Sequence, residues 1–505
     1  MKKRILSALM AALMLSSAAM LGACSNNAAD NNGETTQNAT NNPEEVTNPE
    51  EVNVEELSDL EQRQLIPDDL PEEKYGGEEF RVVTNDGDQY EEEIWVEESN
   101  GEACNDAVYN RNIRIEDRFD VKIFCERNSS PASLPKTLSQ AGTMDYHIVG
   151  LYDYQSYTPI NAQALLNWYD TPHVNTDKPW HNKLANDDAT VNGILYTICS
   201  DLATTSMTYT HAIFTNLDLA ANYGFSASDL YGIVNEGKWT IDYVSEIIQD
   251  MYVDVNGDGK KDINNDQFGF GYQVTNPADV WFNAFGGHYT GRDENGNVIV
   301  TFMSDQTVSE LEKLLQFHYE NPGFAKLTTQ YDEQKWFLDQ KLVFAPMRFY
   351  AAFATLRDMD ASYTMLPYPK WNEEQQEYYT NADDKFTVFA LPTPSYNAID
   401  FIGVIYEALC AESYKTVYPV YYDVALKGKY STDAETADMV ELIMAGRLFD
   451  FSFQFGESVF QRIPYMFRDC INDNNANIAS KYKSIQKAMN KGMEKNFNKV
   501  YHLDG

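Results

Sequence analysis

The sequence predicts an α/β protein built as two lobes. From Glu78 onward, short β-rich runs alternate with amphipathic helical runs, the pattern of a parallel sheet covered by helices. The stretch from residue 78 to residue 505 is longer than one ordinary hydrophobic core supports. A second strand–helix block also begins near His211, well separated from the first.

Residues 80–84, Phe-Arg-Val-Val-Thr, read as the first strand. Residues 107–119 follow as a helix, with Val108, Ile115 and Phe119 at helical spacing and Asn105 as its cap. Residues 121–124 and 146–149 supply a second and a third strand. Ligands of such sheets sit beyond the carboxyl ends of the strands. That directs attention to Asn85-Asp86-Gly87 and to Tyr152-Asp153-Tyr154. The second block opens with residues 211–216 and continues into a helix over 241–251. Thr240 is its N-cap, Asp242 stands in its first turn, and Ile241, Val244, Ile247, Ile248 and Met251 form one apolar face. Residues 342–346 and 363–367 read as later strands, and helical patterns return from Asp400.

The N-terminus has the pattern of an export signal. Lys2, Lys3 and Arg4 precede an apolar run over 5–21, which ends in Leu21-Gly22-Ala23-Cys24. The alternative is a membrane anchor, but the run is short for a span of about 20 residues, and no basic cluster follows it. Residues 1–23 are therefore expected as signal and 24–77 as a tether. Asn, Glu, Thr and Pro dominate that tether, which has too little apolar surface to offset its ordering entropy. A short helix within 54–65 is the exception.

The formal charge is −39, and without the three signal cations it becomes −42. Phosphates are repelled by such a chain, which argues against nucleic acid, against anionic membrane surfaces and against a strongly anionic ligand, and leaves a neutral or cationic solute. The aromatic fraction of 13% suits flat polar solutes as well as ordinary core. Beyond Cys24 the cysteines are Cys104, Cys125, Cys199, Cys410 and Cys470. They are widely spaced, with no metal or redox pattern, and read as buried thiols or as one or two disulfides. No GxSxG, HExxH or phosphate-loop motif occurs, and the seven histidines are scattered.

The most specific motif runs from Asp254 to Asp266, DVNGDGKKDINND. Asp254, Asn256, Asp258 and Asp262 fall at positions one, three, five and nine of a calcium loop. Gly259 stands at the sharp turn, and Lys260 offers its carbonyl. Position twelve is Asn265 rather than Glu, so Asp266 is the candidate closing ligand. One loop between a helix and a strand predicts a structural Ca2+ staple rather than a paired switch. An acidic turn that binds nothing is the alternative.

Together these segments resemble the extracellular solute-binding lipoproteins, family 1-like, of bacterial carbohydrate ABC transporters. The resemblance rests on the Leu-Gly-Ala-Cys ending, GEACNDAVYNRNIRIEDRFDVKI over 101–123, GKWTID over 237–242 and the calcium loop with Phe268-Gly269. LPYPK over 366–370 and ALCAESYKTVYPVYYDVALKGKY over 408–430 complete it. The family's closing acid is missing at loop position ten, which is Ile263. The resemblance implies a two-lobed periplasmic-binding-protein-like fold of type II, with a hinge of several crossovers near 212–216, 344–348 and 390–394. Lobe one would comprise 78–211 and 345–390, and lobe two 212–344 and 391–505. It further implies lipidation of Cys24 at the outer face of the cell membrane, a monomer, permease subunits as partners and a carbohydrate as ligand, with no catalysis. A sugar site needs an aromatic platform and polar side chains for hydroxyls. Trp281 and then Tyr154 are the candidate platforms, and Asn85, Asp201 and Arg348 the candidate hydroxyl partners. Each also reads as an ordinary core, cap or ion-pair residue, and Trp95, Trp168, Trp180 and Trp371 compete as platforms. A secreted carbohydrate-active enzyme, a surface adhesion module and a receptor for peptides or polyamines remain alternatives.

Overall fold

The computed structural model describes residues 58–329, 331–357, 359–422 and 434–503. Cys24, the apolar run before it and most of the expected tether lie outside the described residues. The chain divides into two units, 1–67 and 68–505. In the first, Asp59–Gln64 is a helix opened by a capping box. The Ser58 hydroxyl accepts from the Glu61 N–H, and the Glu61 carboxylate accepts from the Ser58 N–H. This is the short helix expected within 54–65. Among the described residues no helix is long and apolar enough to cross a membrane.

The second unit holds two five-stranded sheets. In chain order its strands are β1 (Glu78–Asn85), β2 (Val121–Asn128), β3 (Ile148–Tyr152), β4 (Thr197–Ile198), β5 (His211–Asn216) and β6 (Phe268–Gln273). They continue with β7 (Thr290–Arg292), β8 (Val298–Val300), β9 (Phe324–Leu327), β10 (Leu342–Arg348), β11 (Tyr363–Leu366), β12 (Thr380–Asn381), β13 (Thr387–Ala390) and β14 (Arg447–Leu448). The first sheet is ordered β2-β1-β3-β13-β4 and the second β11-β5-β10-β6-β9. β1 is parallel to β2 and β3, as the alternation of strands and helices predicts, whereas β13 returns antiparallel to β3. In the second sheet β6 is parallel to β9 and β10, and β5 runs antiparallel between β10 and β11.

Burial explains the pairing. Phe80, Val82 and Val83 of β1 are fully buried, because helices cover both faces of a parallel sheet. The helix Ala103–Phe119 contributes Val108, Ile115 and Phe119 to that cover. It begins four residues before its expected start, and Asn105 lies inside it rather than capping it. The Asp106 carboxylate accepts from the Ser99 hydroxyl and from the N–H groups of Asn100 and Gly101, and so braces the turn that enters the helix. The helix Ile241–Ile248 has the expected cap, Thr240 accepting from the Tyr243 N–H at 3.2 Å, and it buries Ile241, Val244 and Ile248. Gly323 packs where that helix ends. A Cβ there would fall 1.7 Å from the Ile248 carbonyl oxygen, so only glycine allows the contact.

The strands correct the expected partition of the lobes. β10 is one unbroken strand hydrogen-bonded to β5, and β11 pairs with the same β5, so residues 345–366 belong with the second sheet, not the first. The helix Ile399–Glu412, expected in lobe two, packs on the helix Ala103–Phe119 beside the first sheet. Glycine permits its seat there too, since a Cβ on Gly403 would meet the Pro172 carbonyl oxygen at 1.9 Å. The chain therefore passes between the sheets from β4 to β5, from β11 to β13, and between the helices Ile399–Glu412 and Ala434–Ala445, the latter packing on β11. Part of the third passage, 423–433, lies outside the described residues. The short pair β12–β14 stands beside the second passage.

Candidate functional site

The carboxyl ends of the strands from both sheets carry the polar and aromatic side chains that the fold leaves for a ligand. β1 ends at Asn85, which is 2% exposed and whose amide nitrogen is buried without a partner. β3 runs three residues beyond its expected end and finishes at Tyr152. Asp153 then turns inward. Its carboxylate accepts from the Gln454 amide at 2.8 Å and its N–H donates to the Phe386 carbonyl. The Tyr154 N–H donates to the Asp384 carbonyl. These bonds fix the loop and leave the two flanking tyrosines half-buried, with rings stacked 5.7 Å apart at 16°.

The stack continues into a row. The Tyr90 ring meets Tyr152 edge-on at 5.0 Å and Tyr209 at 6.0 Å, and the Tyr209 hydroxyl donates to that of Tyr90 at 2.8 Å. The Arg348 guanidinium, at the end of β10, lies 4.4 Å above the Tyr209 ring. It also donates twice to one Asp383 oxygen, at 3.0 and 2.6 Å. That oxygen further accepts from the Asn276 amide at 2.5 Å and lies 3.5 Å from the His211 ring. On the second sheet's side, Gln273 ends β6 and has a buried side-chain amide oxygen with no partner among the described residues, and Glu333 is buried behind it. Tyr331, 46% exposed, lies within electrostatic reach of both Tyr152 and Arg348.

The carboxylates divide by environment. Burial pushes Asp383 up, but the Arg348 charge together with His211 and the Asn276 amide outweighs it and holds Asp383 well below the usual range. Its neighbour Asp384 is raised to about 6 by burial and then by the Asp383 charge, although Tyr465 donates to it at 2.7 Å. Burial raises both Asp153 and Glu333 to about 7. The strand ends thus hold one ionised anchor beside acids that burial leaves only partly ionised near neutral pH.

Of the expected site residues, the structure brings Tyr154 and Arg348 to one region and sets Asn85 at the same strand ends. Asp201 lies elsewhere, in the turn after β4, where its N–H donates to the Trp180 carbonyl at 2.8 Å. Trp281 is not a platform. It is fully buried, its indole N–H donates to the Tyr272 hydroxyl at 2.6 Å, and Phe270, Phe285, Phe317 and Tyr368 surround it. Trp168 and Trp180 are likewise core. Sequence reasoning missed Tyr90, Tyr209, Asn276, Glu333 and Asp383. In so acidic a chain the Asp383-Asp384 pair carries no signal of its own, and tyrosines brought together from distant loops carry none.

The loop Asp254–Asp266 closes on itself. Asp254 accepts from the N–H groups of Gly257 and Gly259 at 2.8 Å, Asp258 from that of Lys260, and Asn256 from that of Asp258. Both glycines have positive φ. The Asp262 side chain accepts from Asn264 and Asn265, and its N–H donates to Asp266, where the second carboxylate oxygen is buried and unpartnered. Among the described residues no three His, Cys, Asp or Glu side chains gather as a metal site. All five cysteines beyond Cys24 are free thiols, four of them buried.

No protein-family model matches the sequence, and no curated protein matches it. Among solved structures, the chain is similar to the maltose/maltodextrin-binding domain MalE from Bdellovibrio bacteriovorus bound to maltotriose. The two share 11% identity over 83% of this chain and 99% of that one, with a TM-score of 0.52. It is also similar to M. tuberculosis UspC, at 13% identity over 82% of this chain and 100% of that one, TM-score 0.52. The shared architecture is the two-lobed periplasmic-binding-protein fold expected from the sequence.

The raised acid at Asp153 gives a pH signature. An acid that is harder to ionise when folded costs stability as pH climbs from its unfolded value of 3.8 to about 7, and nothing more above that. Asp153→Asn is therefore expected to match the wild type near pH 4 and to gain on it progressively up to pH 7, as read from melting temperatures across that range. A constant offset between the two proteins would contradict this assignment.

Proposed function

We propose that the chain is the solute-capturing component of an importer, binding a carbohydrate, best an oligosaccharide, between its two lobes without altering it. The observation that carries this reading is the row Tyr154–Tyr152–Tyr90–Tyr209, which ends on Arg348 at the carboxyl ends of both sheets. A sugar offers an apolar C–H face and a rim of hydroxyls. The half-buried tyrosine pair suits the face, and the guanidinium, the Gln273 side-chain oxygen and the partly protonated acids suit the rim. Several chain passages between the sheets suit closure by a hinge. The bound maltotriose in the Bdellovibrio relative supports the solute class.

A ligand that binds only the folded state raises its melting temperature. A panel of neutral mono- and oligosaccharides is expected to contain at least one that shifts the wild type. Tyr154→Ala should weaken that ligand by about 10-fold, measured by calorimetry. New reducing ends in the mixture would instead favour the carbohydrate-active enzyme, and a shift by peptides or polyamines alone would favour that receptor class.

Two further features belong to this reading. The loop from Asp254 to Asp266 is proposed as a structural calcium staple. Asp254, Asn256, Asp258, the Lys260 carbonyl and Asp262 would supply oxygens, and the unpartnered Asp266 oxygen would close the set. Calcium should then raise the wild-type melting temperature relative to chelator, and Asp254→Ala with Asp258→Ala should abolish the difference. Equal wild-type curves in calcium and in chelator would remove the metal. Cys24 is proposed as the lipidated residue that holds the receptor at the outer face of the cell membrane, with the permease subunits as partners. Labelled fatty acid should enter the wild type and not Cys24→Ala.

A further inference from the structure

The terminal helix Ile478–Tyr501 opposes the charge of everything around it. It carries six lysines against one acid, Glu494, for a net +5 in a chain of −39, so the remainder stands at −44. Its apolar side is used, since Ile478, Met489, Phe497, Val500 and Tyr501 are buried and Tyr482, Ile485 and Met493 pack against the core. The exposed side holds Lys483, Lys487, Lys491 and Lys495 at successive four-residue steps. At 1.5 Å rise per residue this ladder is about 18 Å long. Lys481 differs, being bound to Asp473 at 2.8 Å, and Lys499 reaches the Asn161 carbonyl at 2.8 Å. Among the described residues no ion pair involves the four ladder lysines.

A run of lysines is usually a solvated face, and solubility alone would account for one. Here the acidic excess elsewhere already supplies solubility, and basic residues would lower the net charge that provides it. We infer that the Lys483–Lys487–Lys491–Lys495 ladder is a docking face for an anionic bilayer surface, where it would meet lipid phosphate headgroups without inserting. Charge complementarity selects that occupant. The four lysines wind about 120° around the helix, with the exposed Glu494 on the same arc, so the patch is a broad basic face. The rest of the molecule is repelled by an anionic plane, as its net charge requires, so attraction confined to this face also sets how the chain stands on it. Long lysine stems can bend from such an arc toward one plane of phosphates, and the face presents no large exposed apolar side chain among the described residues.

The test uses the full-length mature protein without its lipid and sediments it with vesicles of phosphatidylglycerol or of phosphatidylcholine. Binding is expected to the anionic vesicles alone and to fall as salt rises. Replacing the four lysines by Gln should reduce partitioning by at least about 100-fold, while replacing them by Arg should preserve it. Both variants should keep the wild-type melting temperature, because the substituted side chains are exposed. Equal binding by wild type and the Gln variant would overturn the inference, as would wild-type binding to soluble polyglycerophosphate with none to vesicles. So would failure of the wild type to bind anionic vesicles at low salt.

Discussion

The carboxylate of Asp383 is the point on which the arrangement of the cleft depends. It sits on the passage from β11 to β13 and is buried. Arg348 of β10, Asn276 at the start of a helix, and the ring of β5's His211 all converge on one of its oxygens, while the Lys385 N–H donates to the other. A buried carboxylate is costly unless a charge and several donors compensate it, and removing one partner of such a pair strands the other. The second sheet, the crossing chain and the cleft's cation are thereby held in one register. The pair also uses the Arg348 charge internally, so the cation offered to a ligand is already largely neutralised, which agrees with a neutral solute.

The other acids near the cleft follow the opposite rule. Asp153 and Glu333 lack a cation of their own, and Asp384 stands beside an ionised neighbour. Burial keeps them protonated nearer to neutral pH, so the chain's large acidic excess does not translate into an equally large negative field inside the site. Overall charge describes the outside of this molecule better than the inside.

Sequence patterns revealed the fold more readily than the site. Val82 and Val83 in a β-rich run, the apolar face of Ile241, Val244 and Ile248, and the capping Thr240 are local signals, and the structure keeps them. The lobe partition failed at 345–366 because strand pairing is a long-range choice, and nothing local distinguishes a β10 that joins β5 from one that ends at a hinge. Tyr154 and Arg348 could be singled out because each falls at or just past the end of a β-rich run, and the structure places both in one region. Trp281 was misplaced because an isolated tryptophan after a turn looks the same whether it faces solvent or the core. The Tyr90–Tyr209 contact joins residues from distant parts of the chain, and only folding creates it.

The terminal helix bears on both halves of the molecule. Its early turns lie beside Phe302 and the helix Asp305–Tyr319, next to the second sheet. Its last turn is fastened to the first sheet's half, where the Tyr196 hydroxyl donates to the Val500 carbonyl at 2.6 Å and the Asn192 amide to the Tyr501 carbonyl at 2.9 Å. A rigid rod bolted at both ends acts as a strut. Any rotation of one half against the other would have to slide or bend this helix, because its two ends pack on different halves.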